Sequence, residues 1–127
     1  MKTENNASSK IVDWGEVDLV ARQLRDAGQK IAHCHGVFDL LHPGHVQHFL
    51  AAKKMADILV VSITADEHVN KGPGRPLFNQ SIRAETIAAL GMVDYVVVSN
   101  FPTAIETIVG LKPDFYVKGS DYQTASD

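Results

Sequence analysis

The chain has 127 residues, a net charge of −3 at neutral pH and 45% hydrophobic residues, which is typical of one ordinary globular domain. The acidic balance argues against nucleic-acid binding, no apolar run is long enough to cross a bilayer, and the polar N-terminus resembles no secretory signal. The single cysteine, Cys34, excludes an internal disulfide. We therefore expect a cytoplasmic protein with neither nucleic-acid nor membrane partners.

Residues 1–10 have no periodicity and predict a flexible tail before a single domain over 11–127. Apolar positions at helical spacing predict a first helix from Glu16, which ends near Gly28. Further along, the sequence predicts strands over 31–38, 57–64, 95–99 and 114–119, and helices that begin at Pro43, about Ser81 and Thr103.

This alternation predicts an α/β fold, a Rossmann-like three-layer sandwich in which helices cover both faces of a parallel sheet. Ligands of such sheets bind beyond the carboxyl ends of the strands. The loops to examine are therefore those over 36–45, 64–80, 99–103 and 118–122.

The loop over 36–45, with the sequence GVFDLLHPGH, carries the strongest functional signal. His42 and His45 bracket a Pro-Gly pair at the point where a helix begins, and Pro43 forces His42 to be extended. Free backbone N–H groups and the positive helix end favour an anion there, and imidazoles can stabilise charge on a phosphate. Gly44 would let a phosphate approach the backbone. The loop therefore predicts a phosphate-binding site.

The order of several motifs resembles a known family. In chain order, these motifs are the segment CHGVFDLLHPGHVQHFLAAKKMADILVV, then KGPGRP, Arg83, MVDYVV and PDFYVKGSDY. With its His-x-Gly-His signature, this set is similar to the cytidylyltransferase-like nucleotidyltransferases over roughly 31–122. The ending Val-Lys-Gly-Ser-Asp-Tyr most resembles the adenylyltransferase domain of ADP-heptose synthases, followed by the glycerol-3-phosphate cytidylyltransferases.

The resemblance implies a fold of the nucleotidyltransferase type and a corresponding reaction. A nucleotidyl group would pass from a nucleoside triphosphate, with ATP favoured over CTP, to a phosphorylated sugar or polyol, releasing pyrophosphate. Magnesium (Mg2+) would come with the nucleotide, and no residue is assigned to a metal. Because such relatives commonly pair, the resemblance leaves a homodimer open.

The resemblance also assigns residues to roles. The catalytic residues would be His42, His45 and Lys53. The nucleotide would contact both histidines together with Gly36, Val37, Phe38, Gly44, Arg83, Lys118, Gly119 and Asp121. The acceptor would lie near Asp39, Asp66 and Lys71. The family's further Ser/Thr-rich segment is not recognisable before Asp127, so we expect the domain to lack it.

Two other classes of function remain open. A non-catalytic nucleotide-binding module would bind nucleotide without releasing pyrophosphate, and a metal-binding domain would use the histidines clustered between 33 and 48. The metal hypothesis is weakened because Pro43 starts the helix and leaves His42 outside an i, i+4 pair. We interpret His33, His35 and His48 as structural.

The segment KGPGRP also has two interpretations. Lys71 and Arg75 would either lie in a plain solvated loop or fold over bound phosphates as a mobile lid. The sequence favours neither.

Overall fold

A five-stranded parallel sheet organises the part of the chain that the computed structural model describes, residues 7–70 and 72–118. Its strands are β1 (Ile11–Val12), β2 (Ile31–Gly36), β3 (Ile58–Thr64), β4 (Tyr95–Ser99) and β5 (Phe115–Tyr116), in the spatial order β1-β4-β3-β2-β5. The α-helices between them are α1 (Val17–Asp26), α2 (Pro43–Lys53), α3 (Gln80–Ala88) and α4 (Ile105–Leu111). The predicted α/β fold is therefore confirmed.

Helices cover both faces of the sheet, which makes three layers. Every residue of β3 is buried, as its unbroken apolar run predicts. Side chains alternate along the strands, so Cys34 and Val61 pack on the side of α2 and α3, whereas Ile31 and Val60 pack on the side of α1 and α4. None of the helices in the described ranges is long and apolar enough to span a membrane.

The first described residues differ from the predicted tail. Ala7–Lys10 forms a 3₁₀ turn, Ala7 packs against the core, and the Lys10 Nζ donates to the Leu90 carbonyl at 3.1 Å. The short strand β1 then pairs with β4. The prediction was wrong for residues 7–10 because one turn and a two-residue strand show no periodicity; residues 1–6 lie outside the described part.

Three aspartates align the strands at their amino ends. Each stands immediately before a strand and forms two hydrogen bonds with one residue of a neighbouring chain segment. The aspartate N–H donates to the neighbour's carbonyl, and the neighbour's N–H donates to the carboxylate. The pairs are Asp94 with Leu59 (2.9 and 2.8 Å), Asp114 with Ile31 (2.9 and 2.8 Å) and Asp57 with Lys30 (3.1 and 2.8 Å).

The strand order reverses between β2 and β5. From β2 the chain moves outward through β3 and β4, and it then crosses back to place β5 on the other side of β2. Ligands of open α/β sheets bind in the crevice at this reversal, beyond the carboxyl ends. The loop over 36–45 leaves β2 there. Because β5 runs parallel to β2 and ends at Tyr116, Lys118 follows it at the same edge.

Candidate active site

His42 and His45 form a hydrogen-bonded cap at the start of α2. His42 is extended (φ −138°, ψ 173°), as predicted, and Pro43 takes the first helical position. The Gly44 N–H donates to Nδ1 of His42 at 3.0 Å, and the His42 N–H donates to Nδ1 of His45 at 3.1 Å. The Gly44 N–H therefore has an acceptor within the protein, whereas the sequence predicts free backbone N–H groups for a phosphate at this point.

The cap also fixes which nitrogen of each imidazole carries the proton. Because both Nδ1 atoms accept hydrogen bonds, the proton of each neutral ring lies on Nε2. The ring centroids are 4.0 Å apart, so the two imidazoles lie side by side at the positive end of α2. Burial, together with the neighbouring His42 and His48, lowers the pKa of His45 and favours its neutral form. Each ring therefore has one N–H, on Nε2, that is available to an anion.

Phe38 supports this pair from the preceding loop. Its backbone is left-handed (φ 51°), a conformation that costs about 1–2 kcal/mol for a residue with a side chain. The Phe38 ring meets the His45 ring edge-on, with centroids 5.4 Å apart, and it also packs against Phe49. A Cβ at Gly36 would lie only 2.7 Å from the Phe38 ring, so Gly36 makes room for the ring that holds His45 in place.

Arg83 is almost completely buried and connects the loops around the site. Its Nε donates to the Phe78 carbonyl at 2.9 Å, and Nη1 donates to the carbonyls of Val37 and Thr64 at 2.9 and 2.8 Å. Its Nη2 donates to the Asp66 carboxylate at 2.6 Å. These bonds use four of the five guanidinium N–H donors. Arg83 therefore holds the loops together, in contrast to the predicted phosphate contact, and Asp66 is its ion-pair partner.

Asp39 fastens the segment before α3. Its carboxylate accepts the N–H groups of Leu77 and Phe78 at 2.7 and 2.9 Å and the Nε of Arg75 at 3.0 Å. Burial raises the pKa of Asp39, but these hydrogen bonds outweigh it and hold that pKa below its ordinary value. Both carboxylate oxygens are thus engaged within the protein, whereas the resemblance places Asp39 near the acceptor. Lys71 lies outside the described residues.

Lys53 is not brought to the site. It lies on the last turn of α2, where its Nζ donates to the Asp94 carboxylate at 2.7 Å and to the Asp57 carbonyl at 2.6 Å. Both partners precede strands, at the amino edge of the sheet. Ten residues of helix separate Lys53 from Pro43, which amounts to about 15 Å. The structure therefore does not bring Lys53 together with His42 and His45, in contrast to the predicted catalytic group.

The remaining predicted residues lie at the carboxyl edge. This group comprises Gly36, Val37, Phe38, Asp39, His42, Gly44, His45, Asp66, Arg83 and Lys118. Gly119 and Asp121 lie outside the described residues. Two sets of contacts are not predicted from the sequence: the bond from Arg75 to Asp39, and the hydrogen bonds of His35 with Ser62 and Thr64. Side chains alternate between the two faces along β2 and β3, which puts His35, Ser62 and Thr64 on one face and could have suggested their contact.

A cleft of about 300 Å³ opens between residues 38–41 and α3. Its walls are mainly apolar, formed by residues such as Leu40, Phe78 and Ile82. The charged groups in its lining, Asp39 and Arg83, are both bound to protein partners. The cleft is therefore poorly suited to a triphosphate. Among the described residues, no three His, Cys, Asp or Glu side chains are arranged to hold a metal ion.

The fold and this edge define a class of protein: an α/β domain with paired neutral histidines at a helix start beside the reversal of strand order. The cytidylyltransferase-like family matches residues 33–126, and the chain belongs to that family. The predicted resemblance is thus confirmed.

Individual relatives agree with this assignment. The chain is 39% identical over 122 residues to the bifunctional protein HldE of Aliarcobacter butzleri and 41% identical over 115 residues to that of Nitratiruptor sp.. These matches cover 94% and 89% of the chain but only 26% and 25% of the relatives, so the chain spans about a quarter of their length. Among solved structures, the lipopolysaccharide core biosynthesis protein of Thermoplasma volcanium matches with a TM-score of 0.65 and 30% identity, covering 70% of this chain and 73% of that one.

Proposed function

We propose that the protein is a nucleotidyltransferase that moves an adenylyl group from ATP to a sugar phosphate and releases pyrophosphate. Membership of the cytidylyltransferase-like family supports the reaction class. Relatives named bifunctional protein HldE, and the resemblance to the adenylyltransferase domain of ADP-heptose synthases, support ATP and a heptose phosphate. ATP and sugar phosphates are metabolites of the cytoplasm, where we place the protein.

The reaction needs no general base, because the acceptor phosphate is already an anion at neutral pH. One of its oxygens attacks the α-phosphorus in line, a new P–O bond forms, and the bond from the α-phosphorus to the bridging oxygen breaks. Pyrophosphate leaves with that oxygen and its electron pair. The protein must hold two polyanions together and stabilise the charge that develops on the transferred phosphate.

The observation that carries this proposal is the paired tautomer of His42 and His45. Two adjacent imidazoles, held by backbone hydrogen bonds to their Nδ1 atoms, are preorganised to donate from Nε2 to oxygens of the reacting phosphate. Lys118, which follows β5 at the same edge, would add a positive charge to the crevice. Magnesium would enter as part of the nucleotide substrate, since Asp39 and Asp66 both bind arginines.

Calorimetric titration with ATP, CTP, GTP and UTP, each with magnesium, tests the nucleotide. Selective binding of ATP would support the proposal. Selective binding of CTP would favour the alternative that the family name suggests, a cytidylyltransferase acting on glycerol phosphate or another polyol phosphate. Binding of none would contradict the proposal for this chain.

Pyrophosphate release in the presence of a heptose phosphate then tests turnover. Glutamine at position 45 can still accept the His42 N–H, since Gln suits this capping position, but it lacks the imidazole donor. We expect His45→Gln to lower kcat by roughly 10²- to 10³-fold with a much smaller change in KM. His68→Gln is the control, because His68 bonds to the carbonyl of Asn100 after β4. Nucleotide binding without any pyrophosphate release would identify a non-catalytic binding module instead.

A further inference from the structure

Four polar side chains form a buried hydrogen-bonded chain between β2 and β3. Ser62 Oγ lies 2.7 Å from Nε2 of His33 and 2.7 Å from Nδ1 of His35. Nε2 of His35 lies 3.4 Å from the hydroxyl of Thr64, which in turn lies 3.5 Å from the Gly36 carbonyl. The chain therefore starts in the sheet interior and ends on the first residue of the loop that leads to His42.

The hydrogen bonds of this chain run in one direction. His33 is fully buried, and its Nδ1 has no hydrogen-bond partner. A buried N–H without an acceptor is costlier than a buried lone pair without a donor, so the proton of His33 lies on Nε2. His33 then donates to Ser62, Ser62 to His35, His35 to Thr64, and Thr64 to the Gly36 carbonyl. Every donor in the chain thereby has an acceptor.

Thr64 acts on the loop through its backbone as well. Nη1 of Arg83 joins the Thr64 carbonyl to the Val37 carbonyl, while the Thr64 hydroxyl faces the Gly36 carbonyl. Two successive carbonyls of the loop are thus held by hydrogen-bond donors. In a planar trans peptide the N–H points opposite to the carbonyl of the same unit. The N–H groups of Val37 and Phe38 must therefore point away from these donors.

We propose that His35 and Thr64 are positioning residues that set the direction of the Val37 and Phe38 N–H groups toward the nucleotide. The inference rests on the proposed function and on the nucleotide contacts that the family resemblance predicts for Val37 and Phe38. Neither side chain touches the reacting atoms: both nitrogens of His35 are occupied by Ser62 and Thr64.

The replacement Thr64→Val tests this role because it keeps the branched shape and removes only the hydroxyl. We expect the KM for the nucleotide to rise roughly three- to tenfold, the range that loss of one neutral hydrogen bond produces, while kcat changes less than twofold. Thr64→Ser restores the hydroxyl and should restore KM. Thr86→Val is the matched control, since the Thr86 hydroxyl donates to the carbonyl of Ile82 on the surface of α3.

Amide hydrogen exchange of the nucleotide-free protein gives a second readout that does not depend on activity. Exchange at Val37 and Phe38 should change in Thr64→Val and return to wild-type rates in Thr64→Ser. If Thr64→Val does not fold, Ser62→Ala interrupts the chain one step earlier and should change the same amides. Unchanged amides and unchanged KM would overturn the inference. A wild-type protein that binds no nucleotide would instead contradict the proposed function, and the exchange rates would then decide the positioning role alone.

Discussion

Replacing Arg83 by lysine distinguishes a structural guanidinium from a phosphate ligand. Lysine keeps the positive charge but carries its three donors on one nitrogen, so it cannot reach four acceptors that surround Nε and both Nη atoms. At least two of the four hydrogen bonds are lost. At about 1.5 kcal/mol or more for each bond to a charged group, the free energy of unfolding should fall by about 3 kcal/mol.

Thermal unfolding measures this loss directly. The entropy of unfolding of a domain of this size is about 0.25 kcal/mol/K, so the Tm of Arg83→Lys should fall by about 12 °C. Arg22→Lys is the control: Arg22 forms an exposed ion pair with Asp18, and its replacement should change stability by less than about 0.5 kcal/mol. An unchanged Tm combined with a tenfold or greater loss of nucleotide affinity would refute the structural role and restore the predicted phosphate contact.

Three further predictions test other parts of the molecule. Burial lowers the pKa of His33 from 6.5 to about 3, so the unfolded chain binds a proton at a higher pH than the folded protein does. As the pH is lowered from 6.5 to 3, the free energy of unfolding should therefore fall by about 1.4 kcal/mol per pH unit. Urea unfolding at several pH values should show this slope, and an equal slope in His33→Gln would assign the proton elsewhere. Gly36→Ala places a Cβ 2.7 Å from the Phe38 ring and should reduce kcat at least tenfold. The control Gly91→Ala has open space around its Cβ and should not reduce kcat. Equal kcat values for the two variants would show that Phe38 does not position His45. Lys53→Met should leave kcat and KM unchanged and lower the free energy of unfolding by about 1 kcal/mol or less. A large decrease in kcat would support the predicted catalytic role of Lys53.

The sequence predicts the fold well because its signals are local and strong. The apolar run of β3 and the Pro-Gly start of α2 each determine an element without help from distant residues. By contrast, nothing local marks Ile11–Val12 as a strand, since a two-residue strand is defined by its pairing with β4.

The site is harder to predict because charge alone does not tell whether a side chain faces solvent. Arg83 and Lys53 are both residue types that bind phosphate. Arg83, however, donates to three carbonyls and a carboxylate, and Lys53 donates to groups at the amino edge of the sheet. Helix length could have placed Lys53 apart from the histidines, because the two ends of an eleven-residue helix are about 15 Å apart. The partners of Arg83 come from three separate segments, at residues 37, 64–66 and 78, and follow only from the tertiary fold.

The aspartate pairs before β3, β4 and β5 have a consequence for how this architecture can diversify. A one-residue slip of any of these strands would break a two-bond pair and move every side chain to the opposite face. Strand alignment is thus enforced at the end of the sheet farthest from the chemistry. Loops at the opposite end can then lengthen, shorten or exchange residues without disturbing the alignment. Transplanting the loop over 36–45 or the segment over 72–79 from a relative should therefore change the choice of substrate while the sheet folds as before.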